Sequence, residues 1–125
     1  MPQSRASLHI HLVFSTKYRE PLLEDTVRDA LHGYMAVVLK TLGCPVVLIN
    51  SMDDHVHVLF QLSRTVAVAT VAEEIKKCSS KWMKTQGDAF ASFAWQAGYG
   101  AFAVSESNVP AVREYIAKQR EHHRR

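Results

Sequence analysis

The chain has 125 residues, of which 47% are hydrophobic and 22% charged, and this balance predicts one folded domain over residues 1–125 and excludes a wholly disordered protein. The formal net charge is +3, and no apolar run approaches the roughly 20 residues of a membrane-spanning helix, so we expect no membrane partner. Two cysteines without a C-x-x-C pair, and an N-terminus without a secretory leader, lead us to expect free thiols in a cytoplasmic protein.

The first half of the chain alternates between strand and helix patterns. Residues 7–16 alternate apolar and polar side chains, which predicts a strand with one buried face. Residues 25–42 carry apolar side chains at helical spacing and stop at Gly43, which predicts the first helix. Two further strands are predicted over residues 46–51 and 55–62, the second of which again alternates.

The second half of the chain completes a recognisable order of elements. Residues 68–84 predict a second helix, and the aromatic stretch 93–104 predicts a strand or a bent hairpin. Asn108 is a candidate N-cap for a last helix that runs to about His122. The order β-α-β-β-α-β plus a final helix predicts an α+β, ferredoxin-like split βαβ antiparallel sheet. In that fold the first and third strands are central neighbours, and the first two helices share one face.

Four histidines lie on the opposite face of the predicted central strands: His9, His11, His55 and His57. This face is therefore too polar to be a second core. His55 and His57 stand two residues apart, so both imidazoles project from one side of the strand about 7 Å apart and could share a cation with a third ligand. A pair of surface histidines without metal is the commoner meaning of this spacing. Asp53 and Asp54 could be ligands, partners of an imidazole N–H, or turn residues.

The last helix offers a phenol and a carboxamide on one face. Tyr115 and Gln119 are four residues apart, so they lie one turn apart on the same side of the helix. The apolar Val112 and Ile116 flank them, which turns this face toward the protein. The alternative is that Tyr115 is an aromatic residue at the edge of the core and Gln119 a surface polar residue.

Basic residues concentrate in two parts of the chain. Residues 113–125 hold five basic and two acidic side chains, which accounts for the whole net charge of +3. Four lysines are clustered between residues 76 and 84. Both segments suit a polyanionic partner, although a solvated helix face explains them equally well.

Four motifs occur in a fixed order along nearly the whole chain. They are HLVFSTKYR at 11–19, DHVHVLF at 54–60, FAWQAGYGAFAVS at 93–105 and VREYIAKQ at 112–119. Together they make the sequence resemble the TnpA-type single-tyrosine HUH transposases of small bacterial insertion sequences, a group that includes the repeat-associated tyrosine transposases. The sequence departs from the family in one place, where Asp53 replaces a common proline.

The resemblance implies roles for the candidate residues. His55, His57 and Gln119 would bind a divalent metal, Mg²⁺ or Mn²⁺, and Tyr115 would attack the scissile phosphate. The implied activity is transposition of an insertion sequence by metal-dependent cleavage and rejoining of single-stranded DNA through a 5′-phosphotyrosine. The implied partners are single-stranded DNA with hairpin ends and a second copy of the chain in a homodimer. Alternatives are a ferredoxin-like nucleic-acid-binding module, a domesticated non-catalytic relative, and a phosphodiesterase without a covalent step.

The basic side chains are candidate contacts for the DNA backbone, because Lys and Arg neutralise phosphates. We predict that these contacts come from Lys17, Arg19, Lys76, Lys77, Lys81, Lys84 and Arg120.

Overall fold

The computed structural model describes residues 8–119, which form a four-stranded antiparallel sheet and three α-helices. The strands are β1 (His9–Ser15), β2 (Val46–Ser51), β3 (His55–Gln61) and β4 (Gly100–Val104). The helices are α1 (Asp25–Thr41), α2 (Val68–Lys84) and α3 (Val109–Ala117). The sheet order is β2-β3-β1-β4 with every neighbouring pair antiparallel. The predicted ferredoxin-like α+β fold, with the first and third strands at its centre, is confirmed.

The main core lies between the sheet and the helices α1 and α2. Its strand residues follow the period of two that the sequence predicts, because alternate side chains of a strand point to one face. They are Ile10, Leu12, Phe14, Val56, Val58 and Phe60, each at most 5% exposed. The helices contribute their apolar stripes, including Leu31 and Met35 of α1 and Ile75 of α2. Burial of these side chains supplies most of the driving force for folding.

The opposite face of the sheet is partly covered by α3, which forms a second and smaller core. Leu59 of β3, Val104 of β4 and Ile116 of α3 are buried together there. The Asn50 side chain also donates a hydrogen bond from Nδ2 to the Ile116 carbonyl, at 2.8 Å. The expectation that this face of the sheet holds no second core is therefore wrong where α3 packs on Leu59 and Val104. The histidines occupy the rest of the face.

Two predicted boundaries differ from the structure. The strand expected in the stretch 93–104 is confined to β4, and residues 91–99 run as irregular chain apart from one bridge between Thr16 and Trp95. The Trp95 indole is buried against Phe14 and donates a hydrogen bond to Ser79 Oγ at 3.0 Å, so tertiary contacts rather than strand pairing hold this segment. The last helix ends at Ala117, and the end predicted near His122 lies outside the described residues.

Three smaller features of the described residues complete the fold. Asn108 occupies the N-cap position of α3, although its side chain makes no capping hydrogen bond. Both cysteines are free thiols. Within residues 8–119 no helix combines the length and the apolar character needed to cross a membrane.

Candidate active site

The four predicted site residues of the resemblance meet around one cavity of about 510 Å³. The cavity lies beside the ends of β1 and β3, with α3 and the segment 96–100 along its walls. His55, His57, Tyr115 and Gln119 all line it, and all four belong to the same chain. Residues that are 64 positions apart in sequence, from His55 to Gln119, are thus brought together by the docking of α3 on the sheet.

Asp54 holds His55 in place. The Nδ1 atom of His55 lies 2.8 Å from Asp54 Oδ1, and the second carboxylate oxygen, Oδ2, accepts a hydrogen bond from Arg19 Nε at 3.0 Å. Burial raises the pKa of Asp54, but the hydrogen bonds from His55 and Arg19 together outweigh it and hold this pKa below the ordinary value. The ionised carboxylate favours a proton on His55 Nδ1, so that Nε2 carries the lone pair that can bind a metal.

Arg19 reaches Asp54 from a strained turn. The short 3-10 turn Lys17–Arg19 follows β1, and two of its consecutive residues adopt left-handed backbone conformations, Tyr18 with φ 59° and Arg19 with φ 55°. Non-glycine residues adopt this region at a cost of about 1–3 kcal/mol each. The surrounding contacts therefore have to hold this turn, and one of them is the ion pair between Arg19 and Asp54.

His57 is held in a different way, by another histidine. His57 is only 5% exposed, and its Nδ1 lies 2.9 Å from Nε2 of His11 on the neighbouring strand β1. The two rings are stacked with centroids 5.1 Å apart and planes inclined by 25°. The ring of His55 lies equally close to His57, at 5.1 Å, but nearly perpendicular to it. Burial lowers the pKa of His11, which favours its neutral form.

The phenol of Tyr115 in α3 and the carboxamide of Gln119, two residues past the end of α3, line the cavity beside these imidazoles. The Tyr115 ring stands edge-to-face with His57, with centroids 6.3 Å apart, and half of its surface is exposed to the cavity and solvent. Gln119 is only 2% exposed and donates from Nε2 to the Tyr115 carbonyl at 3.3 Å. The burial of Ile116 between them sets the rotation of the helix that presents both side chains to the cavity.

The residues present fit a divalent cation. Throughout residues 8–119, no three His, Cys, Asp or Glu side chains are grouped so as to hold a metal ion, so a third ligand from these residues would be of another type. The Gln119 amide oxygen can supply it beside His55 and His57, since amide oxygen and imidazole nitrogen are both ordinary metal ligands. All three groups are neutral as ligands, which leaves the positive charge of the cation for an anionic substrate.

Two of the lysines predicted to contact DNA bind backbone carbonyls of the protein. Lys76 Nζ donates to the carbonyls of Gln96 and Gly98 at 2.7 and 2.8 Å, and burial lowers the pKa of this amine. Lys84 Nζ donates to the Phe93 carbonyl at 2.7 Å. Both lysines therefore tie α2 to the irregular segment that lines the cavity.

The other predicted DNA contacts are on the surface. Lys77 pairs with Glu74 at 2.9 Å, Lys81 is exposed, and Lys17 lies over the ring of Tyr18 at 5.4 Å. Arg19 both pairs with Asp54 and lines the cavity, whereas Arg120 lies outside the described residues. Contact of these side chains with DNA stays a prediction.

Two relationships in the site escaped the sequence reasoning. The alternation of β1 places His11 on the histidine face but gives no sign that it reaches His57, because that contact depends on the register between two strands. The hydrogen bonds of Lys76 and Lys84 to backbone carbonyls were not predicted either, since the accepting residues are 9 to 22 positions away in sequence. The contact between Asp54 and His55 could be anticipated, because the two residues are adjacent in sequence. A partner of an imidazole N–H was one of the three roles that the sequence left open for this carboxylate.

Comparison with known proteins places the chain among transposases. The family model described as Transposase IS200 like matches residues 4–119. The ISDra2 transposase TnpA of Deinococcus radiodurans is 26% identical over 117 residues, which cover 90% of this chain and 84% of that protein. A crystal structure of a candidate transposase from Deinococcus radiodurans has a TM-score of 0.73 and 25% identity, and the alignment covers 95% of this chain and 98% of the other.

A more distant structural neighbour shares the fold. It is a REP-associated tyrosine transposase bound to a REP hairpin, with a TM-score of 0.61 and 17% identity over 93% of this chain and 68% of the other. The family match spans nearly the whole sequence, and both fold comparisons agree with it. The chain therefore belongs to the IS200-like transposase family.

Proposed function

We propose that this transposase cleaves and rejoins single-stranded DNA in a metal-dependent reaction, with Tyr115 as the nucleophile and a 5′-phosphotyrosine as the intermediate. Membership of the family supports DNA transposition as the general activity. The observation that supports the detailed mechanism is the meeting of Tyr115 with the histidine pair in one cavity, with the Tyr115 and His57 rings 6.3 Å apart.

The metal would be held by His55 and His57 through their Nε2 atoms and by the Gln119 amide oxygen. When bound there, Mg²⁺ or Mn²⁺ supplies Lewis acidity that draws electron density from the phosphate oxygens and orients the group for in-line attack. The residues around the ligands fit this assignment. Asp54 and His11 lie against the Nδ1 atoms of His55 and His57, and a partner at Nδ1 directs metal binding to Nε2 of the same ring.

Tyr115 performs the covalent step. Its hydroxyl oxygen attacks the phosphorus and releases its proton to water, while the bond from phosphorus to the 3′ oxygen breaks and that oxygen leaves as a hydroxyl after taking up a proton. The DNA on the 3′ side of the break stays attached to the tyrosine. In the reverse step another 3′ hydroxyl attacks the same phosphorus and Tyr115 recovers its proton. One ester replaces another each time, so rejoining needs no energy cofactor.

The substrate and assembly follow from the same chemistry. Single-stranded DNA with a hairpin suits the half-open cavity and the surface lysines, and the relative bound to a REP hairpin supports this substrate class. Each chain offers one nucleophilic tyrosine, whereas an element has two ends. We therefore propose a two-fold homodimer as the working unit.

A labelled cleavage assay tests the proposal. The protein is incubated with Mn²⁺ and single-stranded oligonucleotides that tile both flanks of its own gene, each labelled at either the 5′ or the 3′ end. We expect a denaturant-stable adduct that carries only the 3′ label, and we expect Tyr115→Phe to abolish it. Tyr99→Phe is the matched control, because Tyr99 lines the same cavity and is also exposed.

Three results would contradict the mechanism. Cleavage by Tyr115→Phe at the wild-type rate would assign the attack to water instead of the phenol. An adduct that carries the 5′ label would show that the phosphate stays with the opposite strand end. Formation of the adduct in the presence of EDTA would show that the reaction does not need a metal.

A further inference from the structure

His11 has no role in the proposed reaction, yet it makes a direct contact with a proposed metal ligand. Its Nε2 lies 2.9 Å from His57 Nδ1, which is hydrogen-bond distance. In such a bond one of the two nitrogens carries the proton and the other accepts it. Which nitrogen carries it decides whether His57 can bind a metal. A proton on His57 Nδ1 leaves a lone pair on Nε2, whereas a proton supplied by His11 leaves the neutral His57 protonated on Nε2.

The sheet fixes His11 in this position from both sides. His11 pairs with Leu59 of β3 and His57 pairs with Val13 of β1, so the two histidines are diagonal neighbours across the strands. On the other side His11 faces Phe102 of β4 in register, with ring centroids 5.9 Å apart. The imidazole is thus enclosed between one aromatic ring and His57.

His55 shows the same arrangement with a different partner. Its Nδ1 is bonded to Asp54, a carboxylate that can only accept, so the His55 proton is set on Nδ1. If both histidines bind one cation through Nε2, His57 needs an acceptor at Nδ1 as well. Among the contacts of the described residues, His11 Nε2 occupies the place of that acceptor.

We propose that His11 is a positioning residue that accepts the Nδ1 proton of His57 and thereby holds the Nε2 lone pair of His57 ready for the metal. This inference rests on the proposed role of His57 as a ligand. His11 would then keep its own proton on Nδ1 and remain neutral. Partners of this kind fix both the tautomer and the ring orientation of metal-binding histidines, and their loss weakens metal affinity by about 10- to 100-fold.

The first measurement is the tautomer of His57 in the metal-free protein at neutral pH, read from two-bond ¹H–¹⁵N correlations of the imidazoles. We expect the Nδ1–H form in the wild type. We expect His11→Phe to shift His57 toward the Nε2–H form, because phenylalanine fills the space but accepts no hydrogen bond. His11→Gln should keep the Nδ1–H form, since its amide oxygen can accept the same proton.

The second measurement is Mn²⁺ affinity, read by electron paramagnetic resonance without DNA. We expect His11→Phe to weaken binding by about 10- to 100-fold and His11→Gln to restore it to within a few-fold of the wild type. The matched control is His9→Phe, since His9 lies on the same strand and face but opposite Gln61 and Val104, whereas His57 lies opposite Val13, four residues further along β1. It should leave the His57 tautomer and the Mn²⁺ affinity unchanged.

The outcomes separate this inference from the proposed function. A wild-type protein with His57 in the Nε2–H form would overturn the inference, and this result needs no variant to fold. An unchanged Mn²⁺ affinity in His11→Phe would also overturn it, even if the wild type forms the DNA adduct. Failure of the wild type to bind Mn²⁺ or to form the adduct, with His57 in the Nδ1–H form, would instead count against the proposed function.

Discussion

His32 shows how a single buried group couples the stability of this fold to pH. Its Nε2 lies 2.8 Å from Ser51 Oγ, and burial lowers the pKa of His32 to about 4, with Asp29 raising this pKa and Arg28 lowering it further. Between pH 6.5 and about 4 the unfolded chain therefore binds a proton that the folded chain does not. We expect stability to fall as pH falls through this window, because proton uptake favours the unfolded state.

The expected loss is about 2 kcal/mol between pH 7 and pH 4, since each pKa unit corresponds to about 1.36 kcal/mol and partial exposure of the ring reduces the effect. Urea unfolding at several pH values measures it. The control is His32→Gln, which can keep a hydrogen bond to Ser51 but does not titrate. An equal pH dependence in the two proteins would contradict the assignment to His32.

Single residues also mark the limit of what the sequence predicts. The histidine and tyrosine motifs were visible because their spacing along one strand or one helix already defines a shared face. The Gln119 side chain could be read as a surface group, but the structure leaves it only 2% exposed just past the end of α3. Arg28 was not singled out at all, although it is buried and donates to the Leu23 carbonyl and to Asp53. The residues that bury or bind such side chains belong to other elements, so no local sequence pattern predicts these contacts.

The irregular segment before β4 is the element whose form depends most on the rest of the molecule. Lys76 and Lys84 hold its carbonyls, and Trp95 anchors it in the core. Its aromatic content predicted a strand or a bent hairpin, but a strand needs a neighbour along its length. Apart from the single bridge at Trp95, this stretch has buried rings and lysine contacts in place of strand pairing. The regular elements were predictable because their hydrophobic periods match the final packing.

Lys76 gives a test of this anchoring against simple charge attraction for DNA. We expect Lys76→Met to speed hydrogen exchange of the amides around 96–100 by about fivefold, because two hydrogen bonds from a charged group are lost. We also expect slower adduct formation, since this segment lines the cavity.

Lys81→Met is the matched control for that experiment. It removes an exposed lysine from the same helix, so it should lower DNA affinity through charge alone and leave exchange of the segment unchanged. The anchoring role would be refuted if the two variants gave the same exchange rates and the same loss of adduct.

At the scale of the whole molecule, the structure joins the proposed nucleophile and the proposed ligands within one chain. Only residues 105–108 separate the end of β4 from the start of α3, and most of them form a short 3-10 turn. We therefore expect no recovery of activity when Tyr115→Phe and His57→Ala proteins are mixed and allowed to exchange subunits. In such mixed dimers neither chain has both groups.

The rate of adduct formation by the mixture measures any recovery of activity. It is compared with the rates of each variant alone and of the wild type at the same concentration. A rate of about a quarter of the wild-type rate in an equal mixture would show that α3 of one chain completes the site of its partner, because half of the dimers are then mixed and each of these holds one complete site out of two. Size-exclusion chromatography of differently tagged chains, carried out in parallel, confirms that mixed dimers have formed.

The turn at Tyr18 and Arg19 has a consequence for how this protein can change over evolution. A glycine at either position would relieve the unfavourable backbone angles and make the fold more robust. A glycine in place of Tyr18 would loosen the position of the Arg19 guanidinium against Asp54, and a glycine in place of Arg19 would remove that guanidinium from the carboxylate that contacts His55. We therefore expect variants with glycine in this turn to be more stable but less active, and we expect selection for activity to preserve the strained backbone of Tyr18 and Arg19.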